Sequence, residues 1–315
     1  MYIIRFNRVL SKKLFVKSKP FFLIPSAILL TVLVLFCACK NRDNKIVDYK
    51  PEYVPDTAKA RLMLGLPGFS YYGAFDSLTG YFNNNITGAR LRLVAENDIT
   101  AFNNNIASGK FDISILNVNI AIQYDSIYEI AGRPVPMEGN GLYGVIITRK
   151  DSSLKEISQL KGKSICFPDP NAIAGTILPI MYLQKNGIDV NHEITKQFVA
   201  SMESSIMNVY LGKCSAGSSF SLAWEMFRKN RPDIADKLTV SWRTEEMLTS
   251  ALILKKSMAP ELKKKVKELF FSLHTTEMGR SILGHSLLLK YEKASPEDYK
   301  SVMLLLKEYE KILNN

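Results

Sequence analysis

LKGKSICFPDPNAIAGT, residues 160–176, decides the fold of this 315-residue chain. A basic turn, Lys161-Gly162-Lys163, leads into a short apolar strand over residues 164–167. A Pro-Asp-Pro-Asn loop follows, and the small residues Ala174, Gly175 and Thr176 open a helix predicted over residues 174–186. Strand, small-residue loop and helix start is how α/β proteins present backbone N–H groups to a ligand. The first N–H groups of a helix have no intrahelical partner, and the dipole there favours negative charge. As a bare pattern it reads equally as a structural strand-to-helix connection.

The same alternation extends to both sides. Residues 61–66 form a short apolar strand, residues 74–82 the next helix, and residues 89–95 alternate as a strand should. Residues 98–108 read as a helix that Asp98 or Thr100 caps and Gly109 stops. FDISIL, residues 111–116, is a buried strand. Strand, helix, strand recurs, which implies a mostly parallel sheet with helical crossovers. Further strands are predicted at residues 144–149, near 196–199 and 214–218, and at 238–242 and 251–254, with a helix at 204–211. Residues 260–273 and 296–313 are amphipathic helices with charged outer faces.

Residues 160–176 resemble a turn in the solute-binding proteins of phosphonate-type ABC transporters. Four other segments resemble the same family in the same order: FNNNIASGKFDISIL (102–116), YGVIITRKD (143–151), SMESSIMNVYLGKCSAG (201–217) and LTVSW (238–242). Together they cover roughly residues 60–305. The resemblance implies an α/β, two-lobed periplasmic-binding-protein-like fold with a ligand cleft between the lobes. It places residues 60–147 and 245–315 in one lobe and residues 148–244 in the other. Two crossings, near residues 143–148 and 242–249, would form a hinge. The implied function is capture of a small, anionic solute for an ABC permease, by hinge closure and without covalent chemistry, cofactor or metal.

Residues 1–39 read as an export signal. Arg5, Arg8, Lys12, Lys13, Lys17 and Lys19 precede an apolar run over residues 21–36 that ends in Cys37-Ala38-Cys39. The run is shorter than the ~20 residues of a stable membrane span. Cys39, after the small Ala38, resembles a lipidation site, with an uncleaved anchor as the alternative. Residues 40–59, polar and holding Pro51 and Pro55, read as a tether. The expected location is therefore outside the cytoplasm, as a membrane-anchored lipoprotein.

The chain's net charge of +11 includes six positive charges in residues 1–39, leaving +5 on the remainder. Acidic and basic residues are interspersed there, which argues against nucleic acid as a partner. His192, His274 and His285 are isolated, and no cysteine pair has metal-ligand spacing. Cys166 and Cys214 are expected to be buried free thiols, with a disulfide as the alternative.

Ligands of open α/β sheets sit beyond the carboxyl ends of strands. That rule selects Ser70, Tyr71 and Tyr72; Asn117 and Asn119; Asn171, Ala174, Gly175 and Thr176; and Ser215 with its neighbours to Ser219. The tyrosines would supply an aromatic wall and a hydroxyl, or ordinary packing. The asparagines are site residues or loop caps. The family resemblance makes Glu203, in Ser201-Met202-Glu203, a partner for a ligand amine; an acidic residue at a helix start is the alternative. The chain departs from the family where Ser-Thr-Ser-Gly is replaced by Ala172-Ile173-Ala174-Gly175, and where the usual aspartate is Ser215. Each lost charge-assisted bond is worth about 1.5–3 kcal/mol. A less charged, partly apolar anion is therefore expected, with Tyr71, Tyr72 and Ile173 contacting its apolar part. The rival functions are a ligand-sensing lipoprotein beside a membrane sensor and a surface interaction lipoprotein with a degenerate cleft.

Overall fold

The computed structural model describes residues 60–67, 72–96 and 98–313. The signal and tether expected over residues 1–59, Cys39 included, lie outside the described residues, as do Ser70 and Tyr71. The chain first lays down β1 (Ala60–Pro67), β2 (Ala89–Glu96), β3 (Ile113–Asn117) and β4 (Tyr128–Pro136). It then crosses to a second sheet of β5 (Gly144–Arg149), β6 (Lys163–Phe167), β7 (Ile194–Phe198), β8 (Ala216–Phe220) and β9 (Leu238–Arg243). β10 (Ser250–Lys255) and β11 (Leu288–Glu292) return to the first sheet. The strand orders are β11-β4-β10-β3-β1-β2 and β7-β6-β8-β5-β9.

Both sheets are mixed rather than mostly parallel. β1 pairs in parallel with β2 and β3, and β6 with β7 and β8. The strands that enter from the other lobe run against this direction: β10 is antiparallel to β3 and β4, and β5 to β8 and β9. Each entering strand is buried on both faces, which explains its unbroken apolar sequence. In β5, Ile146 packs into one core while Val145 and Ile147 pack into another. In β10, Ala251 and Ile253 face one core, Leu252 and Leu254 the opposite one.

The helices follow from local signals. In chain order they are α1 (Tyr72–Asn85), α2 (Ile99–Ala107), α3 (Val118–Gln123), α4 (Leu178–Lys185) and α5 (Met202–Tyr210). Then come α6 (Ser221–Asn230), α7 (Pro232–Ala235), α8 (Pro260–Ser272), α9 (Glu277–His285) and α10 (Lys300–Leu313). Asp98 caps α2, its carboxylate accepting from the N–H groups of Thr100 and Ala101. A π turn, Ile173–Ile177, precedes α4.

Three expectations need correction. All of β5 lies in the second sheet, so the first crossing falls at residues 137–143, earlier than the sequence suggested. The C-terminal segment does not stay with the first lobe. Tyr299 Oη donates to the Ser250 carbonyl at 2.9 Å in the first sheet, while the Asn191 amide donates to the Ile312 carbonyl at 2.7 Å beside the second. Cys166 and Cys214 form a disulfide, with Cα atoms 5.9 Å apart, rather than two free thiols. β6 and β8 are neighbours in the sheet, which brings the two side chains together although 48 positions separate them in sequence.

Candidate functional site

A cavity of about 760 Å³ opens between the two sheets. Leu66, Phe75, Ile115 and Asn117 line it from the first lobe, and Ile173, Met202, Phe220 and Met226 from the second. Leu142, Met247 and Leu248, from the two crossings, also face it. The crossings are bonded to one another. Leu142 and Met247 exchange backbone hydrogen bonds at 2.9 and 2.8 Å, and Gly144 and Thr244 join through the threonine hydroxyl and backbone at 2.9 Å each.

The sequence-selected residues divide around this cavity. Asn117 lines it; the residue ends β3, pairs with Ser250 and makes no cap hydrogen bond through its side chain. Asn119 is the second residue of α3 and is absent from the wall; its Oδ1 is buried with no partner among the described residues. Tyr72 begins α1. Asn171 is exposed, outside the wall, and its N–H donates to Asp169 Oδ1 at 2.8 Å.

Ala174 and Gly175 face the cavity from the π turn. Among the described residues, no acceptor meets the backbone N–H of Ile173, Ala174 or Gly175. Thr176 departs from expectation. Its N–H donates to the Ala172 carbonyl at 2.9 Å, so that amide is spent inside the turn, and its side chain is buried away from the cavity wall. Gly175 packs under Met202: a Cβ there would lie 2.5 Å from Met202 Cε, at the tip of a flexible side chain.

Glu203 is exposed at the rim, in the first turn of α5, which Ser201 caps by accepting from the Ser204 N–H at 3.0 Å. Ser215 stands apart. The strand starts two residues later than its sequence suggested, so Ser215 lies at the amino end of β8, donating its N–H to the Ser164 carbonyl at 2.9 Å. That is the end of the parallel strands remote from the cavity.

Sequence reading missed Arg133. It lies in β4, 7% exposed, and lines the cavity. Nη1 donates to the Asn140 carbonyl at 2.6 Å and Nη2 to Asn140 Oδ1 at 2.7 Å; Nη2 also pairs with Glu292. Asn140 in turn donates its N–H to Glu246 Oε2 at 3.0 Å on the other crossing. Lys290, 2.9 Å from Glu292, and then Arg133 hold the Glu292 carboxyl below its usual range against the opposing effect of burial. The sequence signal for it is an arginine inside an apolar run, residues 130–137, broken by Gly132, Pro134 and Pro136. Among the described residues, no group of three or more His, Cys, Asp or Glu is placed to hold a metal ion.

The chain matches the family described as "ABC transporter, phosphonate, periplasmic substrate-binding protein" over residues 70–299. It is 21% identical over 261 residues to the phosphate-import protein PhnD of Mycolicibacterium smegmatis, covering 76% of this chain and 78% of that one. Its fold is similar to the binding protein component of an ABC phosphonate transporter from Pseudomonas aeruginosa, with a TM-score of 0.72 at 17% identity over 82% of this chain and 89% of that one. It is also similar to PhnD1 from Prochlorococcus marinus (MIT 9301) in complex with methylphosphonate, with a TM-score of 0.71 at 16% identity over 80% of this chain and 98% of that one. The two-lobed arrangement of sheets thus agrees with solved binding proteins, and the family's role is solute binding for transport rather than catalysis. The chain belongs to the family of periplasmic substrate-binding proteins of phosphonate ABC transporters.

Proposed function

We propose that this protein captures a small organic anion between its lobes and delivers it to an ABC permease, while a lipid on Cys39 holds it at the membrane. The cavity carries this reading. Its volume of about 760 Å³ before closure lies within the ~300–1,000 Å³ of pockets for drug-sized ligands. Its walls are largely apolar, and the side chains at the family's anion-binding turn are Ala172, Ile173 and Ala174.

The free amides of Ile173, Ala174 and Gly175 would receive an oxygen of the anion. Asn117 would meet it from the first lobe, Glu203 would meet an amine at the rim, and Ser70, Tyr71 and Tyr72, which follow β1 in sequence, would add contacts. Contacts to both lobes favour a closed form, with the paired crossings as hinge. Simple phosphonates, deprived of three hydroxyl donors, should bind weakly. A thermal-shift screen of phosphate, phosphite, phosphonates and sulfonates, followed by calorimetry, tests this. Anions with an apolar body should outrank methylphosphonate. Submicromolar methylphosphonate affinity, about −8 kcal/mol or stronger, would overturn the preference.

A further inference from the structure

A buried cation in an apolar wall is costly unless its N–H groups find acceptors. Arg133 carries five N–H donors. One from Nη1 and one from Nη2 go to Asn140, and the other Nη2 hydrogen faces Glu292. The Nε–H and the second Nη1–H meet no acceptor among the described residues. Glu292 is shared with Lys290, so the group of three side chains keeps one net positive charge. Elsewhere in the wall, Glu96 is paired with Lys110 at 3.6 Å and Arg231 with Asp233 at 3.4 Å, while Asp169 and Glu203 meet no cation among the described residues.

We propose that Arg133 receives the anionic group of the solute from the first lobe, opposite the Ile173–Gly175 amides, and passes occupancy to the hinge through Asn140. The inference rests on reading the cavity as the solute site. It names the ligand class: a small organic oxyanion, such as a sulfonate, taken by the Arg133 N–H groups that meet no acceptor among the described residues. It also supplies what the turn has lost, a strong donor set of a planar guanidinium in place of side-chain hydroxyls. Asn140 binds Arg133 through its carbonyl and side chain and binds Glu246 through its N–H. An anion that draws the guanidinium toward the cavity therefore pulls on both crossings at once.

The test compares butane-1-sulfonate with uncharged butane-1-sulfonamide by calorimetry on the exported chain. The unaltered protein should prefer the sulfonate by about tenfold or more, the effect of a charge-assisted hydrogen bond. The paired variant Arg133→Met with Glu292→Gln removes the guanidinium together with its carboxylate partner and leaves the same net charge, now on partly exposed Lys290, so it tests the donors and not the overall field. It should bind both probes within twofold of each other. Arg133→Lys keeps the charge but loses the fork to Asn140; it should keep most of the preference yet lose the compaction seen by small-angle scattering. If the paired variant does not fold, the Nε resonance of ¹⁵N-arginine-labelled protein that is missing in Arg133→Lys decides. It should shift with sulfonate and stay in place with sulfonamide. Equal binding of both probes by the unaltered protein would overturn the role of Arg133 and leave the cavity reading standing. A preference that survives in the paired variant, or an unmoved Nε resonance, would do the same. Binding of neither probe, nor of any anion in the screen, would overturn both.

Discussion

Replacing Cys166 and Cys214 by alanine removes a bridge between β6 and the segment leading into β8. The closed loop spans 48 positions. Chain-entropy arithmetic for a loop of that length gives about 14 cal/mol/K lost from the unfolded ensemble, or about 4 kcal/mol at 25 °C. Unfolding entropy near 2.1 cal/mol/K per residue, over a folded unit of roughly 260 residues, converts this to a fall in Tm of about 7 °C. Both sulfurs are buried, at 0% and 3% residue exposure, so alanine adds a small packing loss to the same sign. Scanning calorimetry of the unaltered protein and the double variant, without reductant, measures the difference directly. Melting temperatures within 1 °C of each other, together with two alkylatable thiols in the denatured protein, would refute the bridge as a stabilising element.

Other perturbations probe separate parts of the fold. In Gly141→Ala the new Cβ would sit 2.6 Å from the Met247 carbonyl oxygen, forcing the crossings apart; a loss of about 1–3 kcal/mol is expected, and an unchanged urea midpoint would refute it. For Glu129, burial raises the carboxyl but the Lys267 and Lys263 contacts outweigh it, holding the group below its ordinary 4.5. Its stabilisation is therefore present above about pH 4.5 and lost as pH falls through the lower folded value, so Glu129→Gln should flatten the acid limb of the stability curve by up to about 1 kcal/mol. A limb of unchanged slope would count against that pairing. Ala172→Ser with Ala174→Ser should raise methylphosphonate affinity by about tenfold or more, read by calorimetry; no gain would mean that the turn does not touch the anion. Cys39→Ser should abolish lipidation, and an unaltered protein whose mature N-terminus carries no lipid by mass spectrometry would sink the anchoring proposal.

Most strands and helices were legible because each carries local information. Examples are Asp98 as a cap, the alternation in β2, and the apolar runs of β5 and β10, which are buried on both faces. β4 was hidden by its own composition. Gly132, Pro134 and Pro136 weaken a strand reading, yet Pro134 and Pro136 are tolerated opposite β11, where the register shifts between Leu288 and Lys290. Arg133 was lost with it. The fate of the last helix was unreadable for a different reason: amphipathic periodicity shows that one face is buried, but not against which lobe. Thr176 was misjudged because the helical segment starts at Ile173, one residue before the predicted start, which makes Thr176 its fourth residue and bonds its N–H to the Ala172 carbonyl. Ser215 was misplaced because a two-residue error in where β8 begins moves a residue to the opposite end of the sheet.

A body attached to another by one pliable cord can swivel in any direction; attached along a line, it can only swing about that line. The two crossings here are laced together at Leu142 with Met247 and Gly144 with Thr244, and the segment from Tyr299 to Ile312 adds a third attachment. The lobes are thereby left with few relative degrees of freedom before any solute arrives. Little orientational freedom remains to be surrendered on capture, so a modest set of contacts can convert efficiently into affinity. The same restraint gives a permease nearly the same swing to recognise in every loaded molecule, whatever the solute's shape.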